Sequence, residues 1–173
     1  MKNKVALVTG ASSGIGKAIA HRLATDGYSV MAAGRDERRT TDLASELPSA
    51  RTWVGDLSSS EACDHLIAAC VKEFGRLDVL VNNAGIYHQA NVEQTTNDVW
   101  QQTIAINLTA PFLLSRAAMP QLRKSKGVII NIASDWGLVG GRNAVAYCAS
   151  KGGVVLMSKA MALDHAAEGV RIN

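Results

Sequence analysis

At 173 residues, 47% hydrophobic and 19% charged, with a mean hydropathy of +0.06, the chain has the composition of one globular domain with a sizeable core. That balance argues against disorder, and the net charge of +3 is too dispersed for a nucleic-acid partner; its densest basic cluster, Arg35, Arg38 and Arg39, also holds Asp36 and Glu37. Cys63, Cys70 and Cys148 are an odd number without Cys/His ligand spacing, so neither a disulfide framework nor a metal site is expected, and they read as buried thiols in a reducing compartment. The N-terminal apolar run at 5–8 is too short for a signal-peptide core or a membrane span, so a cytoplasmic location with no membrane partner is expected.

In chain order, the run at 5–8 suits a buried strand. It is followed at once by Thr9-Gly10-Ala11-Ser12-Ser13-Gly14-Ile15-Gly16, opening a helix. Glycines there let the backbone turn tightly and approach a pyrophosphate, which sits against the N–H groups and positive dipole end of the helix. A phosphate loop of the Walker type is excluded, because Gly16-Lys17 is followed by Ala18 and Ala11 stands where the leading glycine belongs. The helix is expected to turn Ile15, Ile19 and Leu23 inward and to stop at Gly27.

A second strand at 30–33 ends in Ala33-Gly34-Arg35-Asp36. In dinucleotide-binding folds an acidic residue here reaches the ribose 2′-hydroxyl. Uncharged Gly34 takes that position, and Arg35 beside it suits a 2′-phosphate, which favours NADP(H). NAD(H) stays open, since Asp36 would serve it if the strand ended later, and Arg35 also reads as the start of a solvated helix.

A helix at 37–47 before Pro48 leads to a weaker strand at 51–54 and then to Gly55-Asp56-Leu57. Asp56 lies at a strand's carboxyl end, where it would accept from an adenine amino group or cap the next helix. That helix, 60–74, carries Leu66, Ile67, Cys70 and Phe74 at helical spacing and ends at Gly75. A strand at 79–81 runs into Asn82-Asn83-Ala84-Gly85, and a helix from about 97 to 124 is interrupted by Pro111 and Pro120. Pro111 has no N–H and crowds the carbonyl four residues back, that of Asn107, leaving it without its helical partner.

The last strand of the series, 128–132, leads to Ser134, with Asp135 and Trp136 either lining a substrate side or steadying the loop. The final helix, 146–168 with Gly169 beyond it, puts Tyr147 and Lys151 on one face. An ammonium beside a phenol favours phenolate, which makes Tyr147 a candidate general acid/base; two neighbouring surface side chains give the same spacing. Residues 170–173 read as the opening of a further strand. Strands alternating with helices predict an α/β, Rossmann-type, doubly wound and mainly parallel sheet with helices on both faces, in one domain over 1–173.

The glycine loop, Asp56, Asn82-Asn83-Ala84-Gly85, Asn107, Ser134 and Tyr147-x-x-x-Lys151 occur in the order and spacing of the short-chain dehydrogenase/reductase family. The chain resembles its classical branch over the whole length. The resemblance implies hydride transfer between NADP(H) or NAD(H) and a secondary alcohol or ketone, without metal. It implies that Tyr147 exchanges the proton with the substrate oxygen and that Ser134 orients that oxygen. Lys151 would favour the Tyr147 phenolate and hold the nicotinamide ribose, and Asn107 would hold a water linking Lys151 to solvent. Gly10, Ser12, Ser13, Gly14, Ile15, Gly16, Arg35, Asp56, Leu57, Asn83, Ala84, Gly85, Tyr147 and Lys151 would contact cofactor, Asn83 being structural first. A homo-oligomer, dimer or tetramer, paired through the long helices is also implied. Members of the family continue past the position of Asn173 with a substrate-covering segment and another strand, so the chain is expected to be incomplete there. The alternative is a nucleotide-binding protein without turnover, or one completed by a partner chain.

Overall fold

The computed structural model describes residues 4–173. Its strands are β1 (Val5–Thr9), β2 (Ser29–Gly34), β3 (Ala50–Val54), β4 (Val79–Asn82), β5 (Val128–Asn131) and β6 (Arg171–Ile172). All six pair in parallel in one sheet of order β3-β2-β1-β4-β5-β6. The central strands are buried along their whole length, with Leu7 facing Met31 on one side and Leu80 on the other, as unbroken apolar runs covered on both faces require. β3 is a sheet edge with Arg51, Thr52 and Val54 exposed, which is why its apolar signal is weak.

The helices are α1 (Gly14–Thr25), α2 (Glu37–Glu46), α3 (Ser60–Phe74), α4 (Asn97–Ile104), α5 (Ala110–Ser125) and α6 (Val145–His165). Their starts follow from side chains that capture first-turn N–H groups: Asp36 takes that of Arg39 at 2.9 Å, Ser59 that of Ala62 and Thr96 that of Val99, both at 3.2 Å. Gly75 ends α3 in the left-handed region at φ 77°. One core layer joins Leu66, Ile67 and Cys70 of α3 to Leu113, Leu114 and Leu122 of α5; the other joins Ala20 of α1 to Leu43 of α2. Each fully buried leucine contributes on the order of 1.5–3 kcal/mol. Among the described residues no helix is long and apolar enough to cross a membrane.

Four expectations are corrected. Ile15 does not turn inward; it is 62% exposed, because the first turn of α1 overhangs open space beyond the carboxyl end of β1, while Ile19 and Leu23 pack on the core. The helix expected over 97–124 is two helices joined by a π-helical turn, Ala105–Thr109, whose extra residue per turn accommodates Pro111, which has no N–H to give. Pro120 does not interrupt α5, because it and Arg116, whose carbonyl it deprives, both lie on the exposed face, where that carbonyl is open to solvent. Cys63 and Cys70 are buried, with burial pushing their thiols up to about 11 and about 12, but Cys148 is only half-buried, its Sγ receiving the Gly141 N–H at 3.3 Å.

Candidate active site

Strand order reverses between β1 and β4, so the loops leaving their carboxyl ends diverge and open a crevice. A cleft of about 580 Å³ lies there, bordered by Gly10, Ser12, Ser13, Gly14 and Ile15 after β1, Arg35 after β2, Gly55 and Leu57 after β3, and Asn83, Ala84, Gly85 and Ile86 after β4. Gly10 has φ +62°, and a Cβ on it would meet the Ala84 Cα at 2.9 Å, so only glycine lets the first loop close onto β4. Asn83 staples the two ends: its Nδ2 donates to the carbonyls of Thr9 at 2.9 Å and Gly10 at 3.2 Å, while the Thr9 hydroxyl oxygen accepts from the N–H groups of Asn83 and Ala84, each at 3.0 Å. Gly16, buried beneath, packs against the Gly10 carbonyl. Unlike α2, α3 and α4, α1 has no side-chain cap; Ser13 holds the capping position and captures nothing, so first-turn donors face the cleft.

Beside that helix end, a Cβ on Gly34 would meet Thr40 Oγ1 at 2.5 Å, and Ser12 Oγ at 3.3 Å, so no acidic side chain fits at the end of β2. Asp36 is occupied as the cap of α2 and lies 3.4 Å from Arg39 Nε. Arg35 and Arg39 both border the cleft. Arg39 went unremarked in the sequence as a site residue, although its place one turn into a helix that starts beside Arg35 was the available signal. Asp56 does not border the cleft: it is exposed and its Oδ1 takes the Ser58 N–H at 3.0 Å. Nor does it cap α3, which Ser59 does; Leu57 is the member of that pair on the cleft wall.

The cleft leads to α6 at Gly85. A Cβ placed there would lie 3.8 Å from Lys151 Nζ and 3.5 Å from Asn107 Oδ1. Lys151 is 5% exposed; its Nζ donates to the Ile132 carbonyl at 2.6 Å and lies 5.8 Å from the centre of the Tyr147 ring. Burial lowers its pKa from the ordinary lysine value. Asn107, on the π-turn, is likewise buried, with Oδ1 accepting from the Ile86 N–H and Nδ2 donating to the Ile86 carbonyl, both at 2.8 Å. The same Nδ2 reaches Ser150 Oγ at 3.1 Å, and Ser150 donates to the Tyr147 carbonyl at 2.7 Å.

Ser134, after β5, opens a short 3₁₀ turn, Asp135–Gly137, with its Oγ accepting the Trp136 N–H at 3.2 Å and lying 3.0 Å from Asp135 Oδ1. Three rings meet edge to face: Tyr147 with Tyr87 at 5.3 Å and with Trp136 at 6.1 Å, and Tyr87 with Trp136 at 5.8 Å. Tyr87 is aimed by its hydroxyl, 3.4 Å from the carbonyl of Asn143, itself at φ 54° and bonded to the Ala90 N–H at 2.8 Å. Neither Tyr87 nor Ser150 was picked out in the sequence; the loop contact through Asn143 that brings Tyr87 in has no local signature. Trp136 packs on Tyr87 and Tyr147, and His88 is exposed. Among the described residues no cluster of His, Cys, Asp or Glu is arranged to hold a metal.

Fold and site together define a Rossmann-type domain that carries a Tyr/Lys pair and a serine beside a glycine-loop cleft. The chain belongs to the short-chain dehydrogenase family, whose sequence model matches residues 4–173. It is 39% identical over 99% of its length to a meso-2,3-butanediol dehydrogenase of Serratia marcescens, and 40% identical over 98% of its length to an L-fucose dehydrogenase of Bos taurus. It spans 69% and 63% of those relatives' own lengths. Among solved structures it superposes with a TM-score of 0.94, at 36% identity, on a metagenomic short-chain oxidoreductase in complex with NADP, covering 98% of this chain and 79% of that one. A putative short-chain alcohol dehydrogenase of Sinorhizobium meliloti gives 0.95 at 32% identity, covering 100% and 71%.

Proposed function

We propose that the chain carries the cofactor site and catalytic group of an oxidoreductase that passes hydride between NADP(H), or secondarily NAD(H), and a secondary alcohol or ketone. The observation that carries the reading is Lys151, buried between the Ile132 carbonyl and the Tyr147 ring at the point where the glycine-loop cleft reaches Gly85. A nicotinamide dinucleotide, when bound, supplies or takes the hydride. The uncapped N-terminus of α1 and the close approach of Gly10 to β4 suit its pyrophosphate, and Ser12, Arg35 and Arg39 around Gly34 suit a 2′-phosphate rather than a bare hydroxyl.

Tyr147 is the general acid/base, giving its proton to the carbonyl oxygen in reduction and taking it back in oxidation. Ser134 orients that oxygen, and the Lys151 ammonium stabilises the phenolate form of Tyr147. Asn107 fixes the loop of Gly85 and Ile86 against α6, and its carbonyl at the π-turn is the proposed seat of a water that relays protons to Lys151. The T-shaped rings of Tyr87 and Trp136 hold the Tyr147 ring in one orientation and form an apolar wall for substrate. Self-association through the long helices is part of the proposal, supported by exposed Phe112 on α5 and exposed Leu156 and Leu163 on α6.

The test is to titrate the protein with NADPH and NADH, then follow cofactor oxidation and reduction across a panel of ketones and secondary alcohols, with Tyr147→Phe as control. Saturable NADPH binding with turnover that Tyr147→Phe abolishes is expected. Binding without turnover on any member of the panel would leave nucleotide binding alone and defeat the catalytic reading.

A further inference from the structure

We infer that Asp135 is a positioning residue that turns the Ser134 hydroxyl into a hydrogen-bond acceptor toward substrate, so that the resting site prefers an alcohol over the matching ketone. The inference rests on the proposed contact between Ser134 and the substrate oxygen. A serine hydroxyl has one proton and two lone pairs, and a carboxylate can only accept. The 3.0 Å contact between Ser134 Oγ and Asp135 Oδ1 therefore runs one way, with Ser134 donating its only proton. One lone pair of the same oxygen already takes the Trp136 N–H at 3.2 Å. What remains for a ligand is the second lone pair.

A ketone oxygen has lone pairs and no proton, so it gains nothing from Ser134 in this arrangement. An alcohol brings a proton, which Ser134 accepts in the resting complex and which must turn to Tyr147 before oxidation. To serve a ketone, Ser134 must first let go of a bond to a charged group, which is stronger than one between neutral partners. Asp135 is not free to swing away unaided, because the Trp136 N–H also binds its Oδ1, at 2.9 Å. The pair is open to water, which limits the effect to a modest preference.

Dead-end complexes read this preference without turnover. Cyclohexanone binding to the NADP⁺-saturated protein and cyclohexanol binding to the NADPH-saturated protein are measured by calorimetry; each probe has a single oxygen. In Asp135→Ala the ketone is expected to tighten about fivefold, the effect of one hydrogen bond, with the alcohol nearly unchanged. Asp135→Asn keeps an accepting oxygen held by the Trp136 N–H and should stay close to the wild-type ratio. In a Ser134→Ala background, Asp135→Ala should leave the ratio where it was, since the effect passes through the hydroxyl.

Ketone and alcohol affinities that move together in Asp135→Ala, a ratio change that persists without the Ser134 hydroxyl, or a wild type that binds neither probe would each overturn the inference. A wild type that shows the expected ratios but never turns over would sink the hydride-transfer reading and leave the role of Asp135 standing. An unchanged ratio in an active enzyme would do the reverse.

Discussion

The Asn107 side chain binds both backbone polar groups of Ile86, its Oδ1 on the N–H and its Nδ2 on the carbonyl, each at 2.8 Å. One buried amide thus does for Ile86 what a neighbouring strand would do, at a point where β4 has already ended. Through Ser150 it also fixes the turn of α6 that carries Tyr147. Asn107→Ala would leave two backbone groups without these partners, at a cost of about 1–3 kcal/mol for each group that water cannot reach. The expected outcome is a lower urea midpoint together with at least a tenfold drop in kcat, with a smaller change in KM for NADPH, because α1 and the first loop are untouched. Steady-state kinetics on the folded fraction checks it; an unchanged kcat would mean that the Ile86 clamp does not set the catalytic geometry.

On the proposed reading, cofactor choice turns on the space around Gly34. Arg35→Ala and Arg39→Ala are each expected to weaken NADPH by about tenfold, the worth of a hydrogen bond to a charged group, with NADH affected little. The double variant should lose the preference altogether. Gly34→Asp, the obvious change toward NADH, should not deliver it, because any Cβ there runs into Thr40 Oγ1 at 2.5 Å. That overpacking costs roughly 1–3 kcal/mol, and a lowered Tm should accompany it. Fluorescence titration with both cofactors distinguishes these outcomes from a general loss of binding.

At the opposite end of the sheet, Asp78 is 5% exposed and accepts from the Val5 N–H at 2.8 Å and from Arg76 at 2.8 and 2.6 Å. It ties the start of β4 to the start of β1, the two strands whose far ends frame the cleft. Asp78→Ala is expected to destabilise by about 3 kcal/mol, since it strands a buried N–H and frees a guanidinium from its partner. The affinity for NADPH of the folded protein should stay within about twofold, because the change lies a whole strand away from the first loop. Chemical denaturation followed by cofactor titration separates the two readouts.

What the sequence disclosed depended on how local the cause was. β1, β2 and β4 appear as apolar runs because burial on both faces forbids alternation, β5 reads as one although its Ile130 meets water, and edge strand β3 fades because most of it is exposed. The helix starts at 37, 60 and near 97 were legible, but the caps that set them, Asp36, Ser59 and Thr96, were not named, and Asp56 was offered for the third in place of Ser59. The π-turn was half legible: Pro111 announces a lost bond, but whether the helix kinks, breaks or widens is settled by the packing of Ile106 and Asn107 in the interior. Ile15 misled because helical periodicity says which residues share a face and not that the first turn overhangs a cleft. Tyr87 reaches Tyr147 only through a loop contact across 56 residues of sequence, which no spacing rule contains.

Lys151 couples the site to stability through its proton. Burial lowers its pKa below the ordinary 10.5, so between the lowered value and 10.5 the unfolded chain holds more protons than the folded one. Stability contributed by this position therefore rises with pH through that window, and at neutral pH the folded state bears the full cost of keeping the ammonium out of water. Lys151→Met keeps the packing of the stem and removes the charge. It should lose at least about a hundredfold in kcat, the scale of assistance to a general acid/base. Its stability at neutral pH should match or exceed wild type once the bond to the Ile132 carbonyl is allowed for. The diagnostic is the slope: the stability of wild type relative to Lys151→Met should climb as pH approaches 10.5, measured by urea unfolding at a series of pH values. A difference independent of pH would show that the folded protein holds the Lys151 proton as tightly as the unfolded chain does, and that desolvation of this ammonium does not shape the site.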